Sequence, residues 1–405
     1  MPSQAAETEN EKILLFQILD PKQECYKIYC NQQLVEDYIS DTLTHTWSPV
    51  LHLQEKDIEY AQIWCEGQNI NDVCPDSLRP RWESVNARAL TFLKTFKNAK
   101  INLDDVCFYD MLPEKFLLDF YELKNEITQH VFKTYKKPAN YEFLKDLMFF
   151  LKQIKNNKLN VDLSNANFSN DKVRNSMAKV RSCPTQIIYN PWKTVTGRLT
   201  TEKESFPILT LNKELRSIIK PKNDVFVELD FNAAEIRVLL ALLGEEQPQE
   251  DIHSWISKNI FENQFDREKT KKKVFSWLYN PKAKNKKLND FLNRDKIYQK
   301  YFVNDCVSTP YGRVIPVGKE KAVNYLVQST SSDMLLNSAI SVSKKLRYKK
   351  SFVAFCIHDS IVLDMSSEER NMIKDLYETF ATTKFGQVRA NLSMGRDFGS
   401  MSKVL

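Results

Sequence analysis

The sequence predicts an α+β fold, an antiparallel sheet with segregated helices, on three observations. Val225, Val227 and Leu229 alternate with Phe226, Glu228 and Asp230, the two-residue period of a strand, and Ile236, Leu239, Leu240 and Leu243 then recur at helical spacing up to Gly244. Two apolar runs, Phe352 to Ile357 and Ile361 to Asp364, flank His358-Asp359-Ser360, the pattern of a hairpin. Residues 82–158 carry apolar side chains at intervals of three and four over long stretches, which is the helical period.

Composition narrows the class. A chain of 405 residues has room for two to four domains, and 42% hydrophobic with 27% charged residues is an ordinary globular balance. No apolar run reaches the length of a bilayer span, and the polar, acidic N-terminus is neither a signal peptide nor an Arg-rich transit peptide. These features predict a cytoplasmic protein, in the host cytoplasm if the source is a virus, with no membrane partner. The eight cysteines form no Cys-x-x-Cys pair and only five histidines accompany them, so free thiols are expected rather than structural zinc. Gly312 to Lys319 has one residue too many between its glycines for a phosphate loop, and no His-Arg-Asp loop precedes Asp397-Phe398-Gly399, so neither segment is read as an ATP-binding element.

Charge is distributed unevenly. Residues 1–80 hold 14 acids and 5 bases, a net −9, and the remainder therefore carries +15 of the overall +6. Between Asp266 and Lys300 there are 12 bases and 4 acids. A positive field this concentrated suits a polyanion, nucleic acid or a nucleoside triphosphate, although a solvated lysine-rich helix face gives the same count.

Taken in order, residues 1–80 read as a small acidic module, with strands at Ile13–Phe16 and Tyr26–Tyr29 about a turn at Asp20-Pro21. Asp57-Ile58-Glu59 has the spacing of a nuclease carboxylate pair, but no clean strand leads to it, and it reads as a surface turn. Helices are expected from Glu114 to Thr134 and from Tyr141 to Lys155, joined through Pro138 as an antiparallel pair with Lys133, Lys136 and Lys137 at its tip. The Asn- and Ser-rich residues 159–184 read as a connector, and strand character resumes at Ile187-Ile188-Tyr189 before Thr196-Gly197-Arg198-Leu199.

The strand 225–231 ends on Asp230, where a carboxylate can hold a divalent cation, or can cap the helix that follows. Arg267, Lys271, Phe275 and Tyr279 lie four apart and share one helix face, ending at Pro281. Two cations there can neutralise a triphosphate and two aromatics can stack on base and sugar; an amphipathic helix burying Val274, Phe275 and Leu278 is the simpler account. Lys321, Asn324, Gln328 and Ser331 or Ser332 form a polar stripe able to read minor-groove acceptors, or merely a solvated face. Asp359 at the hairpin tip is placed either as a metal ligand or for turn chemistry.

The order strand–Asp–helix, basic–aromatic helix, hairpin–Asp resembles the family A DNA polymerases, the polymerase I and phage replicative type. Asp230-Phe231-Asn232-Ala233-Ala234-Glu235-Ile236-Arg237 is similar to motif A, Arg267, Lys271, Phe275 and Tyr279 keep the spacing of motif B, and His358-Asp359 resembles the heart of motif C. Thr196-Gly197-Arg198-Leu199, Asp251-Ile252-His253, and Asn324 with Gln328 resemble three further elements, so the likeness covers about residues 187–400. Ser360 stands where motif C usually has Glu, Phe231 where motif A usually has Tyr, and Ser276 follows Phe275 without the usual glycine.

The resemblance implies a right-hand polymerase: an acidic N-terminal module at 1–80, a helical thumb and connector at 81–184, palm at 185–245 and 311–405, and helical fingers at 246–310. No proofreading exonuclease is recognisable. It implies template-directed DNA synthesis in replication with two Mg²⁺ ions, held by Asp230, Asp359 and the Phe231 carbonyl. Asp230, Asp359 and Lys271 would be catalytic. Arg267, Lys271, Phe275, Tyr279, Glu235 and His253 would bind nucleotide, with Glu235 blocking a ribose 2′-hydroxyl and Phe275 disfavouring dideoxynucleotides. Thr196, Arg198, Asn324, Gln328 and His358 would contact DNA. The partners implied are primer-template DNA and deoxynucleoside triphosphates, and the acidic first 80 residues carry charge that suits docking to a replication accessory protein. The alternatives are a single-subunit-type RNA polymerase and a non-catalytic nucleic-acid-binding relative.

Overall fold

The computed structural model describes residues 14–404 apart from 21–26, 37–39, 104–105, 165–170, 281 and 284. Ile13, Pro21, Tyr26 and Pro281, on which expected strands, a turn and a helix stop fall, lie outside the described residues. The chain divides into two compact units, Met1–Phe149 and Phe150–Leu405.

In the first unit, strands Phe16–Ile18, Lys27–Cys30 and Gln33–Glu36 form an antiparallel meander. Asn31 and Gln32 turn its second hairpin with φ of 48° and 63°, the positive-φ pair that matches strand twist. Helices Arg79–Asn98 and Glu114–Thr134 share one core with the meander, in which Leu19, Tyr29, Trp47, Trp82, Phe116, Tyr121 and Ile127 are buried. The expected boundary at residue 80 therefore falls inside a core. Three strands of three or four residues bury too little to stand alone, and the long helices supply the missing apolar face. Buried Gln17 ties the layers by donating from Nε2 to Thr128 Oγ1 at 3.0 Å. Glu59, from the carboxylate pair read as a surface turn, is engaged by Lys137 within this unit.

The helices Glu114–Thr134 and Tyr141–Asn156 form over the expected residues. The expected connector is not wholly irregular: Asp171–Ser182 is a helix, because Val173, Met177 and Val180 recur at helical spacing and are buried.

The second unit is organised on a five-stranded sheet of β1 (Val225–Phe231), β2 (Phe352–Ile357), β3 (Ser360–Met365), β4 (Ala390–Gly395) and β5 (Ser402–Lys403). Spatial order is β2-β3-β1-β4-β5, antiparallel throughout. β1 is central, and its Val227 and Leu229 are 0% exposed. Helices α1 (Ala234–Leu243), α2 (Ile252–Asn259), α3 (Arg267–Tyr279), α4 (Lys319–Lys345) and α5 (Ile373–Ala381) complete the frame. Gly244 closes α1 with φ of 78°, a conformation that costs a side-chain-bearing residue strain. α4 packs on α1, α5 and β2, and α5 on β1 and β4. Phe231 is stacked on Phe380 of α5 at 4.3 Å between centroids and is only 2% exposed. A tyrosine hydroxyl would find a dry environment there, which accounts for Phe at this position. The opposite face of β1, carrying Glu228 and Asp230, borders open space.

Candidate active site

The ladder sets the acids in place. Asp230 pairs with Ser360 on β3 and with Asn391 on β4, and Ile357 pairs with Ser360 across the β2–β3 hairpin. His358 and Asp359 are the two loop residues, His358 at φ of 50°. The Phe231 N–H donates to the Asp359 carbonyl at 3.3 Å, which fastens the hairpin tip to the end of β1. The two aspartates of the sequence reading thus share one rim of the sheet.

The capping alternative for Asp230 fails. Ala233, at φ of 53°, is the N-cap of α1 and gives it no side-chain bond, whereas the Asp230 carboxylate accepts from Asn391 Nδ2 at 3.2 Å. Burial pushes Asp230 up to about 6, with the charges of Glu228 and Asp359 adding to the rise and Asn391 and Lys403 opposing it. Burial also raises Asp359, against Arg198 and His358. Burial, more than the charge of either acid on the other, is what makes both carboxylates on this rim resist ionisation.

The hairpin tip separates two cavities. One, of about 360 Å³, is lined by Arg198, Leu199, Ser332, Leu336, His358 and Asp359, among others. The second, of about 330 Å³, is bordered by Arg216, Glu228, Asp230, Asp359, Asn391 and Lys403. Asp359 faces both.

Glu235, buried in the first turn of α1, joins three of the expected site elements. One carboxylate oxygen accepts from the Arg198 guanidinium and the other from the Tyr279 hydroxyl. Burial raises Glu235, while Tyr279 and Arg198 oppose the rise. Burial and the Glu235 carboxylate hold the Tyr279 phenol well above its ordinary range.

On α3 the expected face is present in part. Phe275 and Tyr279 stack at 5.8 Å with planes 5° apart, and Phe275 lies 6.0 Å from the His253 ring. Thr270, Val274, Trp277 and Leu278 are buried, so the core face and the aromatic face are distinct. Arg267, however, is engaged: Nε and Nη2 reach the Asp251 carboxylate at 3.1 and 3.0 Å, and Nη1 reaches Glu268 at 2.6 Å. Asp251 also caps α2 by accepting from the Ser254 N–H. Burial works to raise Asp251, but Arg267 and Ser254 hold it well below the carboxylate range. Lys271 sits near enough to His253 to help depress that ring, whose proton affinity burial lowers to about 4.

Gly197 shows why the Thr-Gly-Arg-Leu turn needs glycine. Its φ is +72°, and a Cβ there would stand 2.5 Å from Arg313 Nη2. Arg313 is in turn held by Asp333 of α4, which is 0% exposed, through Nη2 at 2.8 Å and Nε at 3.2 Å. Ser332 Oγ donates to the Gly197 carbonyl at 2.9 Å, so α4 clamps the turn from which Arg198 reaches Glu235. Thr196 is buried beside it. Asn324 and Gln328 are half-buried on α4 and the Asn324 Oδ1 has no protein partner, while Val323, Leu326 and Val327 of the same helix are buried.

No protein-family model and no curated protein matches the sequence. Among solved structures the chain is similar to the POL domain of Pol1 from M. smegmatis, determined in complex with DNA primer-template and dNTP. The TM-score is 0.42 at 12% identity, over 77% of this chain and 56% of that one. The chain thus spans little more than half the length of that domain, a likeness too distant to bear on residues or activity.

Among the described residues no group of three or more His, Cys, Asp and Glu side chains is gathered closely enough to hold a metal ion. Asp230 and Asp359 offer only hard carboxylate oxygens, which fits Mg²⁺, an ion held by one or two protein carboxylates with water and substrate phosphate completing its shell. Among the described residues, no helix is long and apolar enough to cross a membrane, and the cysteines are free.

Sequence reasoning missed Asn391, Arg313 and Asp333. Each acts across strands or helices far apart in the chain, where no local period marks it. The Asn between Ala390 and Leu392 did carry a signal, a polar residue alternating with buried neighbours in a strand that pairs β1.

Proposed function

We propose that this chain is a template-directed DNA polymerase that adds deoxynucleotides to a primer 3′-hydroxyl, acting in DNA replication. The observation that carries the proposal is the meeting of Asp230 and Asp359 on one sheet rim, beside the Arg198–Glu235–Tyr279 cluster. The 3′-hydroxyl oxygen attacks the α-phosphorus of the bound nucleotide and pyrophosphate departs. Asp230 and Asp359, with the Phe231 carbonyl, would hold the two Mg²⁺ ions, whose chemistry here is to acidify the hydroxyl and neutralise the leaving oxygens.

The remaining roles belong to side chains. Arg267 and Lys271 bind the triphosphate as charge-assisted donors, Lys271 nearest the transferred phosphate. For Arg267 this requires release from Asp251. Phe275 packs on the sugar, Tyr279 marks the template side, and His253 supports the nucleotide from behind Phe275. Glu235, fixed by two donors, fills the space a 2′-hydroxyl would need. Arg198, Thr196, His358, Asn324 and Gln328 contact the primer end and minor groove; the unpartnered Asn324 Oδ1 supports that assignment.

A primer-extension assay with all four deoxynucleotides, with and without Mg²⁺, tests the reading. The expected result is Mg²⁺-dependent extension to the template end. No extension with Mg²⁺ would leave a non-catalytic nucleic-acid-binding protein, and extension by ribonucleotides alone would make it an RNA polymerase.

A further inference from the structure

Two cations border the acid-lined cavity and pair with none of its acids. Arg216 and Lys403 line the same space as Glu228, Asp230 and Asp359. Among the described residues neither cation forms an ion pair, and Glu228 accepts instead from Ser360 Oγ at 2.8 Å.

The Arg216 guanidinium is held by a ring rather than by an acceptor. It lies 4.8 Å from the centroid of Phe398, and its Nε is buried with no protein partner. The Asp397-Phe398-Gly399 turn builds that support. Asp397 accepts from the Gly399 and Ser400 N–H groups at 2.9 and 2.8 Å and from Lys220 Nζ at 3.2 Å. The Phe398 N–H donates to the Ile219 carbonyl at 3.1 Å, and a Cβ on Gly399 would stand 2.7 Å from the Ser217 nitrogen. The turn is thus pressed against the residues that follow Arg216, and Phe398, 3% exposed, is fixed beside the guanidinium. A ring face attracts a cation without taking up its N–H donors as an oxygen would, so those donors stay open to an anion.

Lys403 is placed by register. Asn391 of β4 stands opposite Asp230, Ser393 opposite Glu228, and Lys403 of β5 opposite Ser393. Paired residues project from one face of a sheet. That face therefore passes from carboxylates on β1, through neutral Asn391 and Ser393, to an exposed lysine on the edge strand. A strand of nucleic acid whose 3′ end lay at Asp230 and Asp359 would meet acids at its reactive end and positive charge behind it, where its backbone phosphates need it. No residue of α3 borders this cavity, so these cations are distinct from Arg267 and Lys271.

We propose that Arg216 and Lys403 form a phosphate-binding station that grips the backbone of the primer strand behind its 3′ end. The choice of strand rests on the polymerase reading above; the affinity for phosphate does not.

The probe is a fluorescein-labelled primer-template, its affinity for the full chain read by fluorescence anisotropy over a range of salt concentrations without divalent metal. Arg216→Ala is expected to weaken binding about tenfold and Lys403→Ala about threefold, each lowering the slope of log affinity against log salt by about one, while Arg216→Lys retains the slope. A neutral methylphosphonate in place of one phosphate near the primer 3′ end is expected to weaken binding by wild type but not by Arg216→Ala. The proposal is overturned if both alanine variants bind as wild type does with an unaltered slope, or if the methylphosphonate to which Arg216→Ala is indifferent lies on the template strand. A lower melting temperature with weaker binding at an unaltered slope would also overturn it, leaving Arg216 as a support for the Phe398 turn. Binding that depends on both residues without nucleotide incorporation would uphold the station and overturn the polymerase reading; a wild-type chain that binds no primer-template would overturn both.

Discussion

The rim of the sheet and the face of α3 carry opposite charges and are built in opposite ways. On the rim, Asp230 and Asp359 are placed by backbone: ladder pairs to Ser360 and Asn391, and the Phe231-to-Asp359 bond. On α3, Arg267 is placed by an ion pair to Asp251, with its side chain about half exposed. A strand register cannot shift without moving every neighbouring side chain to the wrong face, whereas a half-exposed ion pair exchanges at little cost. The acids are therefore preorganised, whereas Arg267 can exchange its partner at little cost. Tyr279 bridges the two regions by donating to Glu235, so the aromatic half of α3 belongs with the rim while its basic half does not.

The largest effect expected from breaking that bridge is on sugar selection. Glu235→Ala removes the common partner of Arg198 and Tyr279, and discrimination against ribonucleotides should fall by on the order of 100-fold, read as a ratio of incorporation efficiencies. Unchanged selectivity would mean that the bridge only fastens α3 to the sheet.

The basic half is sharpened by a smaller effect. Arg267→Ala should raise the nucleotide KM about tenfold with little change in melting temperature, since charge-assisted bonds to phosphate outweigh an exposed ion pair. A lowered melting temperature with unaltered KM would assign Arg267 to Asp251 and the α2–α3 junction alone.

The smallest effect concerns His253, between the two halves. Burial, helped by Arg267 and Lys271 and opposed by Asp251, lowers it from 6.5 to about 4. The native state then binds fewer protons than the unfolded chain, so stability is fullest above pH 6.5 and declines as pH falls toward 4, by about 1–3 kcal/mol. Urea melts across that range should show the decline, and His253→Phe should flatten it. An equal slope in the variant would place the titration elsewhere.

What the sequence revealed follows the same division. Val227, Leu229 and the flanks of His358-Asp359 announce the sheet because a buried strand must alternate, and the rim acids were legible as its ends. The shared face of Phe275 and Tyr279 was legible because four residues advance a helix by a little over one turn. The engagement of Arg267 by Asp251, the Arg313–Asp333 pair beneath Gly197 and the bond from Ser360 to Glu228 were not. They depend on which strands and helices become neighbours, and a one-dimensional pattern does not encode that. The helix Asp171–Ser182 was missed for another reason: its three buried residues are diluted by polar ones, and tertiary packing outweighed the polar composition.

The central claim is that the two rim aspartates act together in metal-dependent nucleotidyl transfer. Its most direct test is Mg²⁺-dependent addition of a single labelled deoxynucleotide to a primer, comparing wild type with Asp230→Asn and Asp359→Asn, alongside primer-template affinity by fluorescence anisotropy. The account predicts at least about a 1,000-fold loss of incorporation in each variant, with DNA affinity within about threefold of wild type. Incorporation at the wild-type rate by either variant would contradict it.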